Sequence, residues 1–309
     1  MGLRNLSTDN WVELDNSYPQ FYHEKRRRIQ NRGLKACQTT PEAHPMAVEL
    51  LEELAAYLPA RYPTLYKRTE LGLKNLWSGE EIDTTSRPLP EDPMQSCGRL
   101  TQDDLAIMVE RPDGKYYLLA GAILLAGFWR LEDKLGMKLS MIHTSGNVPH
   151  YREKLEKGMD NLFRRLKPGE MVARNNYVMQ IDGDLPWSTS SVGSEDNEDR
   201  GWHYADDDPS IERHFLRVER QTLHRLPVTG GVVFTIRTYL LPITEIAQED
   251  YVPGRLASAV CSWTDDASKY KGKHKYEAVL LKYLHDQHDK QVSNGLVLDG
   301  EDEKRKYPW

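Results

Sequence analysis

The densest run of reactive side chains in this 309-residue chain lies between His214 and Ile243. Arg217, Glu219, Arg220, Gln221, Thr222, His224 and Arg225 stand among apolar residues in its first half, Arg237 and Thr238 in its second. Alternate side chains of a strand share a face. Arg217, Glu219, Gln221 and Leu223 therefore fall on one side, and Val218, Arg220, Thr222 and His224 on the other. In the second half Phe234, Ile236 and Thr238 oppose Val233, Thr235, Arg237 and Tyr239. The first half has no clean apolar face. Buried charges are costly unless paired or hydrogen-bonded, so either both faces are wet or one lines a polar pocket.

A second cluster runs from Ile142 to Tyr151 and carries His143 and His150. A neutral imidazole is the commonest protein metal ligand, haem iron included; the plain alternative is a histidine at a helix end or on the surface. His285 and His288 have a chelating spacing on a predicted helix, but no third ligand is near. Cys37, Cys97 and Cys261 form no CxxC pair, so neither a cysteine-ligated zinc nor an iron–sulfur cluster is expected. Ser188, Ser190 and Ser191 lie in no nucleophile-elbow context. No GxGxxG or P-loop motif follows a strand.

The elements that must position these groups follow from periodicity and punctuation. Met46, Leu50, Leu51, Leu54 and Leu58 predict a helix opened by Pro45 and ended by Pro59. Leu105–Glu110 and Tyr116–Leu125 flank the turn Pro112-Asp113-Gly114 and read as a hairpin. Phe128 to His143 is helical or turn-rich. An amphipathic helix through Leu155, Met159, Leu162, Phe163 and Leu166 follows, then a strand over Met171–Ile181. Ser188–Asp208 is an acidic surface loop. His214–Leu226 and Val232–Ile243, joined through Pro227-Val228-Thr229-Gly230-Gly231, form the strongest hairpin, and helices close the chain. Hairpins on both sides of a helical stretch argue for α+β architecture rather than a doubly wound parallel sheet.

The organisation expected is an N-terminal arm over 1–45 packed on the body by Trp11, Tyr18, Phe21 and Tyr22. A single body spans 46–292, and a polar tail 293–309. The basic run Lys25-Arg26-Arg27-Arg28 reads as a solvated helix face. With 39% apolar and 28% charged residues and a net charge of -6, the composition is that of a soluble globular protein and argues against a nucleic-acid partner. No apolar run approaches the roughly 18 residues of a membrane span. The odd, scattered cysteines and the lack of an apolar leader fit a cytoplasmic protein.

Taken together, the residues resemble one family. Arg217-Val218-Glu219-Arg220-Gln221-Thr222-Leu223-His224-Arg225-Leu226-Pro227, then Thr229-Gly230-Gly231 and Phe234-Thr235-Ile236-Arg237-Thr238-Tyr239, is similar to the signature hairpin of the haem-dependent oxidative N-demethylase α-subunit-like family. Trp11-Val12-Glu13-Leu14-Asp15 with Tyr18 resembles its entry segment. Ile142-His143, Val148-Pro149 and Tyr151 resemble its histidine loop. Arg174 with Asn176 resembles a strand motif, and Arg255-Leu256 with Trp263 its C-terminal helix. The chain departs from the family pattern in the longer loop Thr144–Asn147 and in Tyr177, where a Trp is usual.

The resemblance implies a PAS-like antiparallel sheet with flanking helices and helical N- and C-terminal additions, binding haem b. It implies oxidation of a small amine by dioxygen, releasing formaldehyde, with electrons from a separate NADPH-dependent flavin and iron–sulfur reductase. Residue by residue, it implies His143 as the iron ligand with His150 as the fallback. On that reading the side-chain chemistry makes Arg237, Arg174 and Asn176 candidates at the cofactor, and Glu219, Gln221 and Arg220 candidates at the substrate or bound oxygen. The alternatives are a haem-based PAS sensor without catalysis and a diverged member with different small-molecule chemistry.

Overall fold

A computed structural model describes residues 2–207 and 209–296. These form two compact units. The first comprises residues 2–176 and 219–238, the second 177–218 and 239–296. The tail expected over 293–309 lies outside the described residues from 297 on.

Ten strands are present among the described residues. They are β1 (Arg4–Asn5), β2 (Cys37–Thr39), β3 (Tyr66–Arg68), β4 (Gly72–Asn75), β5 (Glu81–Asp83), β6 (Asp104–Glu110), β7 (Tyr116–Ala122), β8 (Met171–Gln180), β9 (Phe215–Arg225) and β10 (Val232–Pro242). Seven form one antiparallel sheet in the order β1-β8-β9-β10-β6-β7-β2, and β3-β4-β5 form a second. Both expected hairpins are there. Their connection is the contact of β10 with β6, which sets Val232 opposite Met108 and Phe234 opposite Ala106. Short β1 and β2 occupy the two edges, which limits the unpaired backbone that an edge strand exposes. The fold is thus mixed α and β around an antiparallel sheet, as expected.

The helices are α1 (Tyr18–Arg32), α2 (His44–Arg61), α3 (Pro93–Leu100), α4 (Leu139–Ser145), α5 (Glu156–Arg165), α6 (Thr189–Val192), α7 (Ile243–Ile246), α8 (Val252–Cys261), α9 (Asp265–Tyr270) and α10 (Glu277–Ser293). α2 does not stop at Pro59 but runs two residues further. Pro59 forfeits its own i→i−4 bond, but the turn after it still closes, with Tyr62 N donating to Leu58 O at 2.8 Å. The segment after α2 contains the small three-stranded sheet.

In the first unit, Ala106, Met108, Tyr116, Leu118 and Val232 form a core on one face of the large sheet with Leu131, Leu139, Phe163 and Leu166. The apolar stripe of α2 is buried through Leu50, Leu51, Leu54 and Leu58. α3 comes close to β7 at Gly98, where a Cβ would lie 3.1 Å from the Ala122 methyl. The basic run of α1 is not a solvated face. Lys25 and Arg28, three apart and so on one side of the helix, are 1% and 8% exposed. Lys25 Nζ donates to the Thr101 carbonyl at 2.9 Å and to the Asp103 carbonyl, and Arg28 Nε to the Leu124 carbonyl at 3.1 Å. Arg26 and Arg27 do reach acidic partners, Glu80 and Glu24.

The second unit has its own core, in which Met179, Ile181, Ile243, Ile246, Ala257, Val260, Tyr276, Leu280 and Leu284 are buried. Arg217, fully buried in this unit, donates to Gln180 Oε1 at 3.2 Å and to the Leu185 carbonyl at 3.1 Å. Tyr177 accepts from Trp263 Nε1 at 3.1 Å, and Lys271 Nζ lies 4.2 Å above its ring. No described helix is long and apolar enough to cross a membrane.

Candidate functional site

The alternation in β9 and β10 distributes the candidate residues over two opposite faces. Arg220, Thr222, His224 and Arg237 are buried on one face, and on the other Gln221 and Thr238 are buried while Glu219, Leu223 and Phe234 are half-buried. Thr222 Oγ1 meets Thr235 Oγ1 at 2.6 Å, which fixes Arg220, Thr222 and His224 on the same side as Arg237.

On that side the charges are answered by the N-terminal arm. Arg220 Nε lies 3.1 Å from Glu13 Oε1, its Nη1 donates to the Trp11 carbonyl at 3.0 Å, and its Nη2 to the Asn10 carbonyl. Arg237 Nη2 donates to Asp15 Oδ2 at 2.7 Å, and its guanidinium sits 4.3 Å over the Phe21 ring. His224 Nε2 is 3.1 Å from the Glu53 carboxylate, and its ring meets Trp11 edge-on at 4.5 Å. Arg220 and Arg237 thus hold residues 10–15 of the arm. They are not brought to the other candidates.

The opposite face gathers the rest. Arg174 Nε donates to Gln221 Oε1 at 2.7 Å, Gln221 Nε2 to Glu219 Oε2 at 2.9 Å, and Asn176 Nδ2 to the same oxygen at 3.4 Å. β8 and β9 thus present four of the named side chains as one hydrogen-bonded chain ending on a carboxylate held by two amides. Leu223 and Phe234 lie on the same face and pack on the core that α4 and α5 cover.

His143 sits in α4. Its Nδ1 is 2.8 Å from the Leu139 carbonyl, which can only accept, so Nδ1 carries the proton. Nε2 is left as an unprotonated lone pair with no protein partner among the described residues. Burial, then the charges of Arg174 and Lys134, hold the imidazole pKa below its ordinary value, against the opposing pull of the Leu139 bond. The ring is therefore neutral at physiological pH, and the Arg174 charge that acts on it belongs to the network on β8 and β9. The extra loop residues Thr144 and Ser145 extend the helix, and Thr144 Oγ1 donates to the Ser140 carbonyl at 2.9 Å. His150, by contrast, is exposed and left-handed, with φ of 53°.

A bound haem needs one neutral imidazole with a free nitrogen and an acceptor for the other. His143 meets that requirement on its own geometry. Among the described residues no group of three His, Cys, Asp or Glu could hold a bare metal ion, which includes His285 and His288.

Tyr151 enters the sequence reading only as part of the histidine loop, and Asp103 not at all. Tyr151 stacks flat on His143, with 4.6 Å between ring centroids and 8° between planes. Asp103 is fully buried with neither carboxylate oxygen hydrogen-bonded among the described residues. Burial pushes its pKa up to about 6, although Arg237, Lys25 and Arg220 pull the other way. Nothing in Thr101-Gln102-Asp103-Asp104 marks either aspartate as interior, though both are buried.

A family model described as haem-dependent oxidative N-demethylase, alpha subunit-like, matches residues 2–281.

Proposed function

Because the chain belongs to the haem-dependent oxidative N-demethylase alpha-subunit-like family, we propose that it binds haem b through His143 and demethylates a small secondary amine with dioxygen. The balance is R–NH–CH3 + O2 + NADPH + H+ giving R–NH2 + HCHO + H2O + NADP+. The haem supplies the dioxygen activation, and the protein supplies position and electrostatics.

The single observation that carries the reading is His143: neutral, anchored at Nδ1 by Leu139, and open at Nε2. Glu219 is the substrate anchor of the proposal. Two amide donors fix its carboxylate, so it can hold a methylammonium by charge and take its proton as the nitrogen becomes neutral. Gln221 and Asn176 orient it, and Arg174 orients Gln221 in turn. Arg220 and Arg237 have no role at the cofactor in this proposal, since their guanidinium groups are engaged by the arm. The two electrons are assigned to a separate NADPH-dependent flavin and iron–sulfur reductase. The antiparallel sheet, with the His143 helix on its core face, supports the PAS-like label.

The test is to purify the protein with haem supplied and record its absorption spectrum beside that of His143→Ala. A Soret band that is lost or displaced in the variant is expected. No Soret band in the wild type sinks the proposal, and an unchanged one in the variant moves the ligand away from His143. Formaldehyde release from methylamines with a surrogate reductase then separates an enzyme from a haem sensor.

A further inference from the structure

The turn from His143 to Tyr151 is built from costly backbone. Asn147 and His150 are both left-handed without being glycine, with φ of 55° and 53°. A single π-helical turn, Tyr151–Leu155, follows. Such conformations persist only where the surroundings hold them, and π turns recur at functional positions. Here the holding contacts are Val148 N to the His143 carbonyl at 3.1 Å and Lys154 N to the His150 carbonyl at 2.9 Å. The outcome of the reversal is that Tyr151 returns face to face onto the His143 ring.

Tyr151 is 2% exposed, and its hydroxyl has no partner among the described residues. A buried hydroxyl with nothing to bond to contributes no anchoring of its own, so the ring makes the contact. His143 is then fixed twice: by Leu139 at Nδ1, which sets its tautomer, and by the Tyr151 face, which sets the plane of the ring.

We infer that Tyr151 is a positioning residue for His143, holding the imidazole plane so that Nε2 meets haem iron in one orientation. This rests on the haem reading above. The ligand's outer partners usually matter almost as much as the ligand.

The test uses the haem-loaded protein and three variants, Tyr151→Leu, Tyr151→Phe and His143→Ala. The readouts are haem transfer to excess apomyoglobin and the iron–imidazole stretching band of the ferrous protein by resonance Raman. Loss of an outer partner costs at least about tenfold in affinity, so Tyr151→Leu should release haem about that much faster and shift or broaden the band. Tyr151→Phe, which keeps the ring, should stay close to wild type. Should Tyr151→Leu not fold, Tyr151→Met, which fills the space without a ring, carries the same expectation. Wild-type release and an unshifted band in Tyr151→Leu, with the band lost in His143→Ala, overturn the Tyr151 role alone. Equal loss in Tyr151→Phe and Tyr151→Leu also overturns it, because only the hydroxyl then matters. An unchanged band in His143→Ala removes the ligation reading and the Tyr151 role with it.

Discussion

Asp103 gives the sharpest thermodynamic test, because its carboxylate is interior, unbonded and surrounded by three cations that do not fully compensate its burial. Its ordinary pKa of 3.8 is pushed up to about 6 in the folded chain. Between those values the native state keeps a proton that the unfolded chain has released, so unfolding free energy falls as pH rises. The stabilisation is whole below pH 3.8 and gone above about pH 6. At about 1.4 kcal/mol per pH unit, the full drop is on the order of 3 kcal/mol. Asp103→Asn keeps the shape and removes the charge, and so removes this slope. Urea unfolding of both proteins at about pH 4.5 and about pH 8 should show the variant gaining about 2 kcal/mol on the wild type between them, part of the drop being already spent at the lower pH. A variant-to-wild-type difference that is flat across this range, or that moves in the wild type's favour, refutes the reasoning.

Glu219→Gln should leave the Soret band in place and lower kcat/KM for the amine by about tenfold to a hundredfold, the worth of a charge-assisted hydrogen bond; steady-state formaldehyde assays check this. Arg237→Ala strips Asp15 of its partner and Phe21 of its cation. It should cost about 3 kcal/mol of unfolding free energy while haem transfer to apomyoglobin stays near the wild-type rate. Lys25→Met leaves the Thr101 and Asp103 carbonyls without their donor. A loss of about 2 kcal/mol is expected, together with an upward move of the pH range over which Asp103 titrates, both read from urea curves.

The strands that carry the candidate residues were legible because their signals are local: alternation in 215–225 and 232–242, and a turn between them. Alternation also separates Glu219 and Gln221 from Arg220. What periodicity could not say is what covers each face. Arg220 and Arg237 look like binding residues in sequence, and their partners Glu13 and Asp15 lie more than two hundred positions away. For the same reason Lys25 and Arg28 read as solvated, since a helical pattern of charge does not announce backbone carbonyls waiting across the packing interface. The small sheet from Tyr66 to Asp83 has strands of three and four residues, too short to show a period. His143 was legible as a candidate ligand, whereas its stacking partner depends on a π turn that no spacing rule encodes.

The arm's attachment also has a consequence in time. The bond from Arg220 to the Trp11 carbonyl spans 209 residues, and that from Arg237 to Asp15 spans 222. At about 5–20 residues per second of synthesis, the arm is made roughly 10–40 seconds before either arginine exists. Until then Glu13, Asp15 and the aromatic Trp11 have none of these partners. Closing a loop of that length is also entropically expensive and slow. These two anchors of the arm therefore form late, and the interval is when that segment is most open to capture by a chaperone or a protease.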